Sequence, residues 1–541
     1  MLISSCLCTF GTISRPGAAH RKPTSRLTAF QLLAAAAVLV AFPASAQQQI
    51  PRTADGKPDL QGIWQATGTA AADLQDHVAG LNTLAGRSVL AGGPGSSIPY
   101  QPWAAKQRAE NFANRAAADP LSKCYIPGVP RVMYLDFPFQ IFQSPAIVTM
   151  AFEWELDYRL IYTNGTPHPP DDEGWMGDSR GRWDGDTLVV DVRNINDKTW
   201  LDAAGDFHSG DLHVVERYRM TDHDTIQYEA TLEDAKVFTK PWTINLTLHR
   251  RTDRDRLFEY VCQAEVEEAR GDFNREERTW YPGSTAAPLS EIAESSYVAP
   301  PVAPVPNLRR TRDGKPDLQG FYEASAGGAN YGLEKHSNDG MVPGGRGVIV
   351  DPPDGKLPMR PWAIAEHTDR NRDERGYDDP TAHCFPAGAP RSMYVPAGIE
   401  IIQTPDYVVF LHERVAWRIV ALNRTQHLPD SMRLWQGDSI GHWEGDTLVI
   451  DTANFNGKTW LNEVGEIVSY AEHTIERITP TGPDLFRYQA TIIDPVVYTR
   501  PWTITFPIRR EKFELREAAC HEEDHDLPHL KAMKEAGAKK K

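Results

Sequence analysis

The chain has few cysteines, no excess of basic residues and no apolar run long enough to cross a membrane. Its formal net charge of −16 excludes the basic face that non-specific binding to nucleic acid or to anionic lipid requires. It contains no CxxC pair, phosphate-binding glycine loop or dinucleotide fingerprint. The sequence therefore predicts no nucleic-acid partner, no membrane span, no metal and no cofactor. It leaves the oligomeric state open.

The composition that remains is that of a folded, soluble protein. Of 541 residues, 41% are hydrophobic and 24% are charged, which is enough for sizeable cores. A chain of this length usually folds as two or more domains.

Residues 1–46 have the pattern of an export signal. Basic residues come first, at Arg15, Arg21, Lys22 and Arg26, and an apolar stretch follows over 27–42. Ala44, Ser45 and Ala46 then supply the small residues of a cleavage site, so we expect cleavage after Ala46. The mature chain is therefore expected in the periplasm or outside the cell.

One stretch of fifteen residues occurs twice. Residues 177–191 read GDSRGRWDGDTLVVD and residues 437–451 read GDSIGHWEGDTLVID, with eleven identical positions. An acidic residue followed by Gly185 suits a tight hairpin turn, and branched apolar residues supply the adjoining strand. The motif predicts a β-hairpin in each copy.

This hairpin belongs to a repeat that covers nearly the whole mature chain. DGKPDLQGIW begins at Asp55 and DGKPDLQGFY at Asp313, and most matched segments lie 258 to 260 residues apart. A proline-rich stretch between the copies is typical of an extended linker. The predicted parts are a signal peptide (1–46), a first barrel repeat (47–296), the linker (297–307), a second barrel repeat (308–525) and a disordered tail (526–541).

Four cysteines follow the signal, and they allow three disulfide pairings. The repeat selects Cys124 with Cys262 and Cys384 with Cys520, one bridge in each copy. An oxidising compartment favours such bridges. The alternative is four free, buried thiols.

Each copy consists mostly of short strands joined by turn signals. In the first copy the pattern predicts strands over 62–66, 140–143, 146–152, 158–163, 181–183, 187–192, 212–220, 225–232, 242–249 and 257–262. Closing such a meander into a barrel hides both edge strands. A helix is expected to begin near Pro102 and near Pro361. The predicted fold class is all-β, with two tandem antiparallel meander barrels, each with one leading helix.

The opening GIW of the first predicted strand resembles the Gly-x-Trp start of lipocalins. As a whole, each copy resembles a widespread family of secreted, largely uncharacterised bacterial proteins with GKPDLxGxW near the start and WEGDTLVVDT in the middle. Both copies carry these motifs almost unchanged. The resemblance implies a secreted, lipocalin-like barrel and brings no established activity.

Glu216 and Glu476 are candidate catalytic residues because strand alternation places them on an apolar, inward face. A carboxylate in such a place must be paired or have a raised pKa, which suits a general acid/base or a ligand anchor. The alternative is a structural ion pair with an arginine present in both copies, such as Arg131 or Arg391.

Two loop histidines, His168 and His427, are the other candidate catalytic residues. Each precedes the repeated hairpin, where it could act as a base or hydrogen-bond donor at the mouth of a barrel. The alternative is a histidine that only fixes its loop. His213 and His473 are expected on the outer sheet surface. With Asp171, Asp191, Asp430 and Asp451, these histidines are numerous enough to bind a divalent metal, but no close spacing supports a metal site.

Aromatic residues present in both copies are candidates for ligand contact inside the barrels: Trp183, Tyr228, Trp242, Trp443, Tyr488 and Trp502. Such rings suit aromatic, sugar or sterol-like ligands, and they are also common in cores. Ser179 and Ser439 lack the strand-to-helix context of a nucleophile elbow, so we expect them in turns.

Three functions remain open at this point. The first is a binding module for a small apolar or aromatic molecule held inside a barrel. The second is a hydrolase, lyase or isomerase in which a loop histidine and an inner glutamate transfer a proton. The third is a structural or interaction protein without a ligand cavity. Converging His and Glu side chains would favour the enzyme, an open interior the binding module, and a filled interior the structural role.

Overall fold

The computed structural model describes residues 50–80, 83–170, 172–273, 297–338, 343–413 and 416–539. The predicted export signal lies outside these residues. Within them, the first repeat has nine strands: β1 (Gly62–Ala66), β2 (Phe139–Gln143), β3 (Ile147–Phe152), β4 (Tyr158–Tyr162), β5 (Asp178–Asp184), β6 (Thr187–Arg193), β7 (His213–Asp222), β8 (Thr225–Glu233) and β9 (Trp242–Arg250). They pair in chain order, and β1 also pairs with β9, which closes the predicted barrel.

The second repeat builds the same barrel and adds one short strand. Its described strands are β10 (Gly320–Ala324), β11 (Ile349–Asp351), β12 (Ile399–Gln403), β13 (Tyr407–His412), β14 (Trp417–Ala421), β15 (Asp438–Glu444), β16 (Thr447–Ala453), β17 (His473–Pro480), β18 (Leu485–Ile493) and β19 (Trp502–Glu511). Pairing of β10 with β19 closes the barrel, and β11 pairs with the other end of β19. The two tandem barrels confirm the predicted fold class.

One pair of neighbouring strands in each barrel departs from the antiparallel meander. β4 and β5 run parallel, and so do β14 and β15. Parallel neighbours require the chain to cross from one end of the sheet to the other between them, and the long connection 163–177 does so. Only two residue pairs join β4 to β5, so this parallel seam is the shortest ladder around the first barrel.

The described residues contain four α-helices: α1 (Pro102–Ala118), α2 (Cys262–Arg270), α3 (Pro361–Arg370) and α4 (Leu527–Ala538). α1 and α3 are the predicted leading helices. None of the four combines the length and the apolar content needed to cross a bilayer. α2 and α4 follow the barrels and differ from the sequence predictions.

The segment 257–262, predicted as a tenth strand, does not join the sheet. The barrel is already closed by β1 and β9, so no edge is left for it to extend. Tyr260 instead exchanges backbone hydrogen bonds with the turn after β3, donating to Glu153 O and accepting from Glu155 N. Its last residue, Cys262, begins α2.

Helix α4 corrects the prediction of a disordered tail over 526–541. Its lysine- and alanine-rich sequence offers little apolar surface, which is why composition alone predicts a solvated segment. The helix is held instead by polar contacts. Lys534 lies 2.6 Å from a carboxylate oxygen of Asp378, and its ammonium lies over the ring of Tyr377.

The two disulfides pair as the repeat predicts. Cys124 is bonded to Cys262, and Cys384 is bonded to Cys520. Each bridge ties the segment that follows a barrel to the segment that follows its leading helix. These trailing segments, 251–262 and 512–520, make the contacts described next.

The barrels pack against each other through a shared apolar cluster on β2–β4 and β12–β14. Each trailing segment also reaches across to the other barrel. Glu517 accepts the backbone N–H of Trp175 at 2.6 Å, and Glu259 accepts that of Gln436 at 3.0 Å. The two glutamates occupy equivalent positions, three residues before the second cysteine of each disulfide, so the interface is reciprocal.

Candidate functional site: a cavity between the barrels

The interiors of both barrels are filled by side chains. Four of the aromatic residues predicted to contact a ligand, Tyr228, Trp242, Tyr488 and Trp502, are buried in these cores. The other two, Trp183 and Trp443, pack partly buried against them, each with a lysine ammonium over its ring. The predicted ligand residues are therefore part of the packing of the barrels.

Glu216 lies in the first core, where a buried arginine balances its charge. Arg159 donates to both of its carboxylate oxygens, and the hydroxyls of Tyr218 and Tyr228 donate to Oε1 at 2.9 and 2.8 Å. Arg159 also donates to Ser179 Oγ, so each of its five N–H hydrogens has an acceptor. Ser179 Oγ is therefore a hydrogen-bond acceptor for the buried guanidinium of Arg159.

The second barrel has a similar network, with Ile478 at the position of Tyr218. Arg418 donates to both carboxylate oxygens of Glu476, and Tyr488 donates to Oε1 at 2.6 Å. The alternative of an ion pair for these glutamates is correct, but the partners are Arg159 and Arg418. Arg131 and Arg391 instead form buried ion pairs with Asp119 and Asp379. The arginines that pair with the glutamates lie in β4 and β14, the first strand of each parallel pair.

His168 and Glu216 are on opposite faces of the sheet. His168 Nε2 lies 2.9 Å from Oδ1 of Asp191, whose side chain points outward from β6. Glu216 is paired across the strands with Val190, which directly precedes Asp191 on β6 and points inward. His427 and Glu476 are separated in the same way, because His427 contacts Asp451. The structure therefore does not bring the candidate catalytic histidine and glutamate together.

A cluster of two histidines forms around each of these outer aspartates. His213 Nε2 lies 3.0 Å from Asp191, and His473 Nε2 contacts Asp451. The three residues of each cluster are more than twenty positions apart in pairs, so no local motif marks them. Their presence in both copies, at outward positions of neighbouring strands, is the signal that could have found them.

The electrostatics of the second cluster differ from those of an isolated histidine. Burial lowers the pKa of His427, but hydrogen bonds with Asp438 and Asp451 outweigh it and raise the pKa to about 9. Burial also opposes ionisation of Asp451, yet its histidine partners hold the pKa of this carboxyl well below its usual range.

A cavity of about 160 Å³ lies between the barrels and is lined by both repeats. It has room for roughly ten water molecules. The first repeat contributes the turn between β3 and β4, including Glu155, Leu156 and Asp157. The second contributes its trailing segment, including Glu517, and the residues just after it, including Glu522. The reciprocal interface thus forms a space that both repeats line.

The lining combines apolar surface with buried acidic groups. Apolar and aromatic side chains include Leu156, Tyr158, Tyr162, Phe385 and Leu515. Burial raises the pKa of Glu155 to about 8 and that of Glu517 to about 7. Burial also raises the pKa of Asp157 well above its ordinary range, and its Oδ2 has no hydrogen-bond partner among the described residues.

The equivalent space on the other side of the interface is much smaller. A cavity of about 30 Å³ lies beside Arg418 and Ser439, as the larger one lies beside Arg159 and Ser179. Two substitutions between the repeats distinguish the sides. Where the first repeat has Asp157 and Tyr158, the second has Ala416 and Trp417, so the smaller cavity lacks the unpartnered carboxyl and is lined by an indole.

Comparisons with known proteins add no assignment: no family model matches the chain, and a search of curated proteins returns no significant match.

Proposed function

We propose that this is an exported binding protein for a small apolar or aromatic molecule that carries an amine or ammonium group, held between the barrels. The observation that carries this proposal is the cavity of about 160 Å³, lined by apolar side chains and by the unpartnered carboxyl of Asp157. The predicted export signal and the two disulfides support the location.

A positively charged ligand follows from the balance of groups on the lining. Carboxyls outnumber cationic side chains there, and Arg159 is already bonded to Glu216 and Ser179. Burial raises the pKa of Glu155, Asp157 and Glu517, so a bound cation would supply the charge that stabilises their ionised form. Aromatic rings such as Tyr158 and Phe385 add favourable contacts for a cation.

The other two functions have less geometric support. A proton-transferring enzyme built on His168 and Glu216 would need both side chains in one pocket, and the sheet separates them. A purely structural role accounts for the filled barrels, and it remains the outcome to be tested against.

The test is a thermal-shift comparison of benzylamine with benzyl alcohol, which has nearly the same shape and no charge. A ligand at one hundred times its dissociation constant stabilises by about 2.7 kcal/mol. We expect benzylamine to raise the melting temperature and benzyl alcohol to have no comparable effect.

Two variants locate the binding. Asp157→Ala gives the first repeat the residue of the second and should abolish the benzylamine shift. Asp184→Asn removes an exposed carboxylate at a hairpin turn and should keep it. Equal shifts for the amine and the alcohol, or an unchanged shift in Asp157→Ala, would contradict the proposal and favour a structural role.

A further inference from the structure

Two histidine side chains on the outer face of the second barrel converge on one carboxylate oxygen of Asp451. His427 Nε2 lies 3.1 Å from Oδ1 of Asp451, and His473 Nε2 contacts the same oxygen. One ligand atom from each of the three residues lies within 4.8 Å of the others. Such separations suit three ligands that share one ion at about 2.0–2.2 Å.

A contact at Nδ1, the ring nitrogen that faces away from Asp451, fixes the orientation of His427. Its Nδ1 lies 3.2 Å from a carboxylate oxygen of Asp438, and Arg256 from the first repeat holds the other oxygen of that carboxylate at 2.9 Å. Histidines that bind metals usually hydrogen-bond through their second ring nitrogen to such a carboxylate, which fixes the tautomer. Nε2 of His427 therefore faces Asp451 as a ligand atom would.

The first barrel supplies an internal comparison. There His168 and His213 contact different oxygens of Asp191, at 2.9 and 3.0 Å, so they do not converge on one point. Arg193 also donates to Oδ1 of Asp191 at 2.9 Å, so its guanidinium already supplies a positive charge beside this carboxylate. The position equivalent to Arg193 in the second barrel is Ala453, which leaves that carboxylate without the guanidinium.

We propose that His427, Asp451 and His473 bind a divalent transition-metal ion of the zinc type. Two imidazoles and one carboxylate select such ions over magnesium and calcium, which prefer oxygen ligands. Three protein ligands leave at least one coordination position for water or a small anion. Asp451 is about two-fifths exposed, so the ion can reach the site from solvent. The site is separate from the cavity between the barrels and does not depend on its occupant.

The experiment is a calorimetric titration of the chelator-treated full chain with zinc chloride, repeated with magnesium chloride. We expect one equivalent of zinc to bind at the second barrel, and magnesium to give no comparable signal. Asp451→Asn and His473→Gln should each weaken zinc binding at least tenfold. Cobalt(II) titrated in place of zinc should give a visible spectrum that is lost in the same variants.

Matched variants separate this site from the rest of the chain. Ala453→Arg introduces the residue that the first barrel already tolerates, and it should weaken zinc binding at least tenfold without loss of the fold. Asp191→Asn, at the equivalent position of the first barrel, and the double change His525→Gln with His529→Gln, near the start of α4, should leave the affinity unchanged.

The results that would overturn the proposal are equally specific. They are absence of zinc binding in the wild type, wild-type affinity in both Asp451→Asn and Ala453→Arg, or loss of the bound equivalent in the variant that combines His525→Gln with His529→Gln. Circular dichroism of each variant distinguishes a lost site from a lost fold.

Discussion

Glu517, in the segment that follows the second barrel, accepts the backbone N–H of Trp175 in the first barrel at 2.6 Å and that of Met176 at 2.8 Å. Glu259 makes the reciprocal contacts with Trp435 and Gln436 of the second barrel. Each glutamate thus satisfies two consecutive backbone donors that its own barrel does not contain.

The first prediction concerns the stability of this interface. Glu517→Ala should destabilise the protein by about 2 kcal/mol or more, because it leaves buried N–H groups without an acceptor. Glu259→Ala should cost a similar amount. Urea denaturation measures both, and calorimetry of the double variant should show two separate unfolding transitions where the wild type has one. A single unchanged transition in the double variant would mean that other contacts couple the barrels.

The second prediction concerns the ion pair inside the first barrel. Glu216→Gln should cost about 3–5 kcal/mol, because it leaves the buried guanidinium of Arg159 without a counter-charge. Arg159→Met combined with Glu216→Gln should cost less than the sum of the single changes. Urea denaturation of the four proteins completes the cycle. Additive effects would show that the two side chains do not stabilise each other.

The third prediction uses a difference between the repeats. Glu400 is buried on the outer face of β12, where the first repeat has Gln140. Burial, with the nearby charge of Glu514, raises the pKa of Glu400 from 4.5 to about 8. The folded protein therefore holds this proton more tightly than the unfolded chain, and its stability falls as pH rises from about 4.5 to about 8.

Glu400→Gln removes this dependence while keeping the shape of the side chain. Its advantage over the wild type should be small at pH 5 and should grow to a few kcal/mol, in order of magnitude, at pH 9. Urea midpoints at pH 5, 7 and 9 measure the difference. An advantage that stays constant with pH would contradict the raised pKa.

The fourth prediction follows from the proposed ligand. Burial raises the pKa of Glu155 to about 8, the charges of Glu522 and Glu265 add to this effect, and backbone N–H groups of Gln263 and Cys262 oppose it. A cation binds the ionised carboxylate, so its affinity should increase up to about tenfold per pH unit below 8 and level off above. Tetramethylammonium suits the measurement, because its charge does not change with pH. Affinity that is constant from pH 6 to pH 9 would exclude a role for Glu155.

The barrels could be predicted from the sequence because their signals are local. Strand alternation and turn residues predict all nine described strands of the first repeat, and the repeated cysteines predict both disulfides. Alternation also placed Glu216 correctly on the inner face. Its partner, Arg159, lies in β4, and strand order by itself does not place β4 beside β7.

The candidate sites could not be predicted because they depend on how distant segments meet. The cavity requires the trailing segment 512–520 to cross to the first barrel, and nothing in its composition indicates that crossing. The cluster around Asp451 joins a loop and two strands that are more than twenty residues apart. A sequence pattern records the residue types of such a site, and only the packing of the chain brings them together.

The reciprocal glutamates have a consequence for how this chain arose. A chain with one repeat would present Glu259 to a neighbour and would need that neighbour's glutamate in return, so two identical copies could satisfy each other across a two-fold axis. The tandem sequence is in this sense a homodimer joined into one polypeptide. Joining the halves fixes their one-to-one ratio and releases them from the requirement of identity. Asp157 opposite Ala416, and Arg193 opposite Ala453, are differences that a symmetric dimer could not have kept.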